Sequence, residues 1–346
     1  MNGRVMRLGV RPSGVTSNLA DWIARSTAPG VTFASDFSGA NDFTLASVNG
    51  GTGRVWAPSM NSTQLAQVVK DTTDGLTNGC CLRIDKPANE NDFANGAGQE
   101  WMFPLNSAWT TNAESFGLGV PFWIQFRFKI PASRLILSTI TSGGQAGWKW
   151  FLAAQYSPTS TASQSFAHSL AQIVLQDTNQ FGIPQAYYSD VAGNSQPFVE
   201  TSAGGVYYTP QNSIDRGSGT HDVRYCEVPS PFTAASPGCE FWPAGEWVTN
   251  MVRIKPVTYS GTGATGNEFD FYYARAGVYT WTHMMSFRNF ELGDPNSNGG
   301  GFTGINGGHF STFETGRVSG QDTHQKFDQV IVSTSEIAIP LDSGTP

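Results

Sequence analysis

The stretch PFWIQFRFKIP, residues 121–131, alternates apolar and polar side chains along its length. Successive side chains of a β-strand point to opposite faces, so this alternation separates the two kinds of side chain. One face would hold Phe122, Ile124, Phe126, Phe128 and Ile130, and the other Trp123, Gln125, Arg127 and Lys129. The pattern predicts a strand with one face on a hydrophobic core and polar groups on the other.

Similar alternation recurs farther along the chain. In EWVTNMVRIKP (246–256) and NEFDFYYARAG (267–277), the apolar sets Val248, Val252, Ile254 and Phe269, Phe271, Tyr273 oppose the sets Thr249, Arg253, Lys255 and Glu268, Asp270, Tyr272. Further strand-like runs cover residues 80–87, 148–156, 171–177 and 325–340. Recurrent short strands separated by turn-forming residues are typical of an all-β protein.

Composition supports the same fold class. The 346 residues include 39 glycines and 19 prolines, and only 14% of residues are charged, which is typical of a β-rich protein with many turns. Long loops rich in Gly, Ser, Asn and Pro separate the strands at 190–220, 228–245 and 292–326. We therefore predict one all-β jelly-roll β-sandwich over residues 31–340, with long loops at its rim and a C-terminal tail at 341–346.

Residues 1–30 form an N-terminal arm that differs from the rest of the chain. Within it, SNLADWIARS (17–26) predicts a short helix capped by Ser17, with Leu19, Trp22 and Ile23 on one face. Two roles for the arm remain open: a strap packed on the sandwich, or a segment that docks on a partner.

Charge and hydrophobicity exclude several classes of partner. The net charge is −7 and the Lys and Arg residues are scattered, which argues against a nucleic-acid partner. No run approaches the ~20 apolar residues that a membrane span requires. The N-terminus carries no apolar segment typical of a secretory signal, so we expect a protein that is assembled in a host cytoplasm.

Two loops raise the question of a cross-link and of a metal site. Cys226 and Cys239 bracket a proline-rich loop and would form a disulfide if the protein matures outside the cytoplasm. Asp294, Asn296 and Asn298 follow the first ligand positions of an EF-hand loop, but its last ligand position holds an isoleucine. We favour a flexible turn there, with a weak calcium site as the alternative, and expect no other cofactor.

The order of several segments resembles a known superfamily. The segments are DFSG, LRIDKP, GQEWMFP, FWIQFRFKIP, GGQAGWKWFLAAQ, IVLQDTNQFGIPQAYYS, GEWVTNMVRI and FDQVIVSTSEIAIP. Across residues 31–340 this order resembles phage- and prophage-encoded proteins of the concanavalin A-like superfamily, which are similar to jelly-roll polysaccharide lyases and laminarinase-like glucanases. The resemblance implies a jelly roll with a curved sheet and a phage origin.

A glycan-binding face is one interpretation of the aromatic residues. Trp148 and Trp150 would share a face of the strand 148–156, where large aromatics are more often part of a core than of a ligand site. If that strand pairs with 121–131, an indole would stack on a sugar ring while polar neighbours bind its hydroxyls. The set proposed for glycan binding is Trp148, Trp150, Gln125, Arg127 and Gln155, with Lys149 beside it.

Two enzymatic interpretations compete with it. A lyase needs a group that neutralises a uronate, a base and an acid, and the candidates are Arg127, Gln125, Lys149 and Tyr188. A laminarinase-like hydrolase would carry Glu-x-Asp-x-x-Glu, but Glu268 and Asp270 are followed by Tyr273 at the last position. The second carboxylate that a retaining hydrolase requires is therefore missing from this motif.

The leading hypothesis is a non-enzymatic bacteriophage virion structural protein, either a capsid decoration or a head or tail adhesin, with a glycan-binding face. It would be exposed outside the cell, bind major capsid or tail proteins and bacterial surface polysaccharide, and form a homo-oligomer. The alternative is a polysaccharide lyase that acts on uronic-acid-containing bacterial capsule or exopolysaccharide.

Overall fold

The computed structural model describes residues 18–44, 55–56, 67–86, 100–105, 116, 119–130, 147–154, 172–178, 184–189, 195–197, 243, 245–256, 268–288, 304–305, 307–310 and 323–341. They form helix α1 (Asn18–Ser26) and the strands β1 (Val31–Ser35), β2 (Val55–Trp56), β3 (Gln67–Asp71), β4 (Cys81–Lys86), β5 (Glu100–Pro104), β6 (Phe122–Lys129), β7 (Gly147–Ala154), β8 (Gln172–Thr178), β9 (Pro184–Ser189), β10 (Ser195–Pro197), β11 (Val248–Lys255), β12 (Glu268–Arg275), β13 (Thr282–Arg288), β14 (Gly307–Phe310) and β15 (Thr323–Ser333). Within this part of the chain, no helix is long and apolar enough to cross a membrane.

The strands form two antiparallel sheets. The eight-stranded sheet has the order β13-β12-β11-β6-β15-β4-β3, and β1 also pairs with β15. The seven-stranded sheet has the order β10-β9-β8-β7-β14-β5-β2. This arrangement confirms the predicted all-β jelly-roll β-sandwich.

The core lies between the two sheets and is rich in aromatic rings. Phe126 of β6 contacts Phe151 and Phe310 of the opposite sheet, each with ring centroids 5.2 Å apart. Phe310 in turn stacks on Phe327 at 4.0 Å. The predicted apolar faces of β6, β11 and β12 all point into this core, so the alternation in their sequences is confirmed.

The expected pairing of residues 121–131 with 148–156 does not occur. Strand β6 pairs with β11 and β15, whereas β7 pairs with β8 and β14 of the other sheet. The two segments meet across the core, through Phe126 and Phe151, rather than edge to edge. The long connections between the strands allow consecutive strands to enter different sheets, which is common in sandwiches.

Helix α1 packs on the outer face of the eight-stranded sheet, the face opposite the core. Arg25 is buried there and donates to Asp21 Oδ2 at 2.8 Å, to Gln125 Oε1 at 2.6 Å and to Gln329 Oε1 at 2.6 Å. Gln125 Nε2 also donates to the backbone carbonyl of Ala338 at 2.9 Å. The N-terminal helix and the segment after β15 are thus held together over one polar cluster.

The helix does not bury the whole apolar face that the sequence predicts. Trp22 is buried with Met251, Ile331 and Ile337, but Leu19 and Ile23 are 45% and 51% exposed. The orientation follows from Arg25, because its three buried hydrogen bonds require the helix to turn its charged side inward.

Residues 72–79 cover the next part of the same outer face. The Leu76 amide donates to Asp328 Oδ2 at 2.7 Å, and Gln329 Nε2 donates to Thr77 Oγ1 at 2.8 Å. Leu76 also packs on Cys81 and Trp247. Asp328 lies directly opposite Arg127 on the neighbouring strand, and both side chains are buried under this cover.

Asp328 makes the stability of the fold sensitive to pH. Burial raises its pKa from 3.8 to about 8, against the hydrogen bonds of Leu76 and Gln329 and the charge of Arg127, all of which lower it. Between these two pKa values the folded state keeps a proton that the unfolded state releases. The contribution of Asp328 to the free energy of unfolding is therefore complete below pH 3.8 and is lost as the pH rises to about 8. We expect the urea midpoint of the wild type to fall over this range relative to that of Asp328→Asn.

The control for that measurement is Glu246→Gln, which alters an exposed carboxylate and should keep the wild-type pH dependence. Asparagine cannot accept from the amides of both Leu76 and Gln329, so Asp328→Asn will also change the absolute stability. The quantity to compare is therefore the slope of the urea midpoint against pH in the variant and in the wild type. Parallel pH profiles for Asp328→Asn and the wild type would contradict the prediction.

Candidate functional site

Beyond the helix, the same outer face carries aromatic and charged side chains that are partly exposed, with Asp270 buried among them. Trp123 of β6 lies in register with Arg253 of β11, which lies in register with Asp270 of β12. In the next row, Tyr272 of β12 lies in register with His283 of β13. We call this region the outer patch; it comprises Trp123, Arg253, Lys255, Glu268, Asp270, Tyr272, Trp281 and His283.

The charged groups of the outer patch form a chain of alternating sign. Lys255 Nζ donates to Glu268 Oε1 at 2.9 Å, and Arg253 Nη1 donates to Glu268 Oε2 at 2.6 Å and Asp270 Oδ2 at 3.0 Å. Burial alone would raise the pKa of Glu268, but the hydrogen bonds and charges of Lys255 and Arg253 outweigh it and hold the pKa below its ordinary value. Glu268 therefore stays ionised and accepts hydrogen bonds.

The aromatic rings of the outer patch are held by their neighbours. The Arg253 guanidinium lies over the ring of Trp123, 5.8 Å from its centroid. Tyr272 stacks on His283 at 4.6 Å and meets Trp281 edge-on at 6.4 Å. Trp123, Tyr272 and Trp281 also pack against the buried cluster under helix α1, yet each stays partly exposed. The patch thus combines fixed ring surfaces with fixed polar groups.

His283 lies between Asp270 and Tyr272, and its Nε2 has almost no exposed surface. This Nε2 lies 3.3 Å from Asp270 Oδ1 but forms no hydrogen bond with it. An imidazole between a carboxylate and a phenol ring could transfer a proton if a substrate reached it. Of the other histidines, His309 is buried in β14 and His324 lies near the start of β15, while 168 and 221 are outside the described residues.

The structure does not bring together the residues proposed from sequence. Gln125 and Arg127 are 0% and 1% exposed, on the outer face of the eight-stranded sheet beneath α1 and residues 72–79. Trp148, Lys149 and Trp150 belong to β7, and Tyr188 to β9, in the seven-stranded sheet. The two groups therefore lie in different sheets with the core between them.

Several predicted positions lie outside the described residues. They are Gln155, the cysteines Cys226 and Cys239, and the calcium candidates Asp294, Asn296 and Asn298. Cys80 and Cys81, which are described, are buried and unbonded. Where the structure describes the chain, no group of three or more His, Cys, Asp or Glu side chains is arranged to hold a metal ion.

Comparison with solved structures finds β-sandwich proteins at low identity. An alginate lyase from Aplysia kurodai is 12% identical, with a TM-score of 0.43, over 78% of this chain and 87% of its own. An endo-β-1,4-glucuronan lyase from Trichoderma reesei is 10% identical, with a TM-score of 0.40, over 84% and 98%. The binding domain of botulinum neurotoxin serotype C1 is 7% identical, with a TM-score of 0.37, over 79% and 44%.

No family model matches the sequence, and no curated protein matches it either. The likeness to the solved structures concerns the fold, and we transfer no site residue from them.

Proposed function

We propose that the outer patch binds an oligosaccharide without cleaving it. The observation that carries this proposal is the pairing of partly exposed rings with fixed charged groups on the outer face of the eight-stranded sheet. Trp123, Tyr272 and Trp281 offer apolar surface on which the carbon side of a sugar ring can pack, while Glu268 and Arg253 can bind its hydroxyls. Backbone pairing in β6, β11 and β12 keeps these groups in place before a ligand arrives.

The electrostatics of the patch favour binding over hydrolysis. A general acid must hold a proton near neutral pH, whereas Lys255 and Arg253 keep the pKa of Glu268 low. Tyr273, where the laminarinase-like motif has its last glutamate, points into the core rather than toward Asp270. Glu268 and Asp270 are thus better suited to hold Arg253 in place than to cleave a glycosidic bond.

As part of the same proposal, the protein is carried on a bacteriophage particle as a capsid decoration or a head or tail adhesin. The resemblance of the segment order to that of phage-encoded proteins supports this placement. The exposed Leu19 and Ile23 of helix α1 offer apolar contacts for another virion protein or for a second copy of the chain. Mass spectrometry of purified particles tests the placement, and absence of the protein from them would contradict it.

Binding is tested with Trp281→Ala and Trp123→Ala against a glycan identified on an array. Each variant should weaken the affinity measured by calorimetry about tenfold, because each removes a ring surface. Arg275→Ala is the matched control, since that side chain is exposed and pairs with Glu246 outside the patch. Unchanged affinity in both tryptophan variants, with the fold intact, would rule out the outer patch as the binding site.

The second candidate function is polysaccharide lyase activity, which His283 favours through its position beside Asp270 and Tyr272. It predicts unsaturated sugar products, detected by ultraviolet absorbance, from uronic-acid polymers. Loss of that product in His283→Ala would assign the base, while a silent wild type across a broad panel would remove this candidate.

A further inference from the structure

The charges of the outer patch are already paired with one another. Its two cations, Arg253 and Lys255, face its two carboxylates, Glu268 and Asp270, at distances of 2.6 to 3.0 Å. Arg253 Nη1 alone is shared by both carboxylates. Within this described set, two positive charges thus balance two negative charges.

This pairing bears directly on which sugars the patch accepts. A uronate would have to compete with Glu268 or Asp270 for Arg253, and its carboxylate would then lie close to another negative charge. A neutral sugar meets no such repulsion. Its hydroxyls can also donate to Glu268, whose side chain is partly exposed, which an ionised carboxylate cannot do.

We propose that the ligand of the outer patch is a neutral oligosaccharide and that the ion-pair chain excludes uronic-acid polymers. This inference rests on the proposed binding function. Glu268 is the specificity-determining residue, because it engages both cations at once. Removing its charge leaves Lys255 without a counter-ion and Arg253 with Asp270 alone.

The test uses three pairs of oligosaccharides with matched linkages that differ only at carbon 6: β-1,4-mannan and β-1,4-mannuronan, cellulose and β-1,4-glucuronan, α-1,4-galactan and α-1,4-galacturonan. Calorimetry on the full chain should find at least one neutral member binding tenfold or more tighter than its acidic counterpart. That affinity should be nearly the same at ~0.05 and ~0.5 M salt, because no net charge is neutralised on binding.

The variant Glu268→Gln should bind the acidic member of the same pair about tenfold more tightly than the wild type does, because one patch charge is removed. Glu246→Gln is the matched control, since the same substitution then falls on an exposed Arg–Glu pair outside the patch. The ratio of its affinities for the neutral and acidic members of the pair should equal that of the wild type.

The outcomes separate this inference from the function on which it rests. Tighter binding of an acidic member, with an affinity that falls as salt rises, overturns the neutral ligand but keeps glycan binding. If Glu268→Gln prefers the neutral over the acidic member by the same ratio of affinities as the wild type, the ion-pair chain does not set the specificity. Absence of binding to all six oligosaccharides, with the array also negative, overturns the binding function itself.

Discussion

Phe126→Ala is expected to lower the free energy of unfolding by about 3–5 kcal/mol, the usual cost of removing a buried phenylalanine ring. Phe126 is fully buried and is the point where the two sheets meet. Its ring packs against Phe151 and Phe310 of the seven-stranded sheet and against Phe327 of its own sheet. Three rings would lose their contacts at once, and the strands around them cannot close the space without breaking their pairing.

Urea denaturation followed by tryptophan fluorescence measures this effect. Val120→Ala is the control, because Val120 is 44% exposed just before the same strand, and we expect a change within about 0.5 kcal/mol. If Phe126→Ala unfolded at the same urea concentration as the wild type, the packing between the sheets would be far looser than the ring contacts indicate.

The core of this fold could be predicted from local sequence. In residues 121–131 every second side chain is apolar, and a strand has no other way to bury Phe122, Phe126 and Phe128 together. The same holds for Phe269 and Phe271 in β12. Alternation reports which side chains share a face, and this information lies entirely within each segment.

The burial of the polar face of β6 could not be predicted in the same way. Gln125 and Arg127 follow the pattern of solvent-facing residues, yet both are buried. Their cover comes from far along the chain, since Gln125 accepts from Arg25, 100 positions away. A third layer formed by α1 and residues 72–79 is a tertiary feature, and the strand pattern of β6 is the same with or without it.

The candidate site shows the same division between local and tertiary information. Trp123, Arg253 and Asp270 each lie on a predicted polar face, so their placement on the outer side of the sheet follows from sequence, although Asp270 is buried there. Their contact depends on the order of β6, β11 and β12 in the sheet. Trp148 and Trp150 stand out in the sequence as alternate aromatics, but β7 lies in the other sheet.

Arg25→Met should be the most damaging change outside the core, with an expected loss of about 3–5 kcal/mol in the free energy of unfolding because one partner of a buried ion pair is removed. Methionine keeps much of the volume but leaves Asp21, Gln125 and Gln329 without their shared donor. Asp21 would still accept from the amide of Leu341, so a buried negative charge would remain with one neutral donor.

The helix should then detach before the sandwich unfolds, because its other apolar contacts rest mainly on Trp22. Limited proteolysis should cut the variant at the end of α1 under conditions in which the wild type is intact. Arg275→Met provides the matched control: its pair with Glu246 is exposed, and such pairs contribute at most about 1 kcal/mol. Equal losses in the two variants would mean that the cluster around Arg25 does not hold the helix to the sheet.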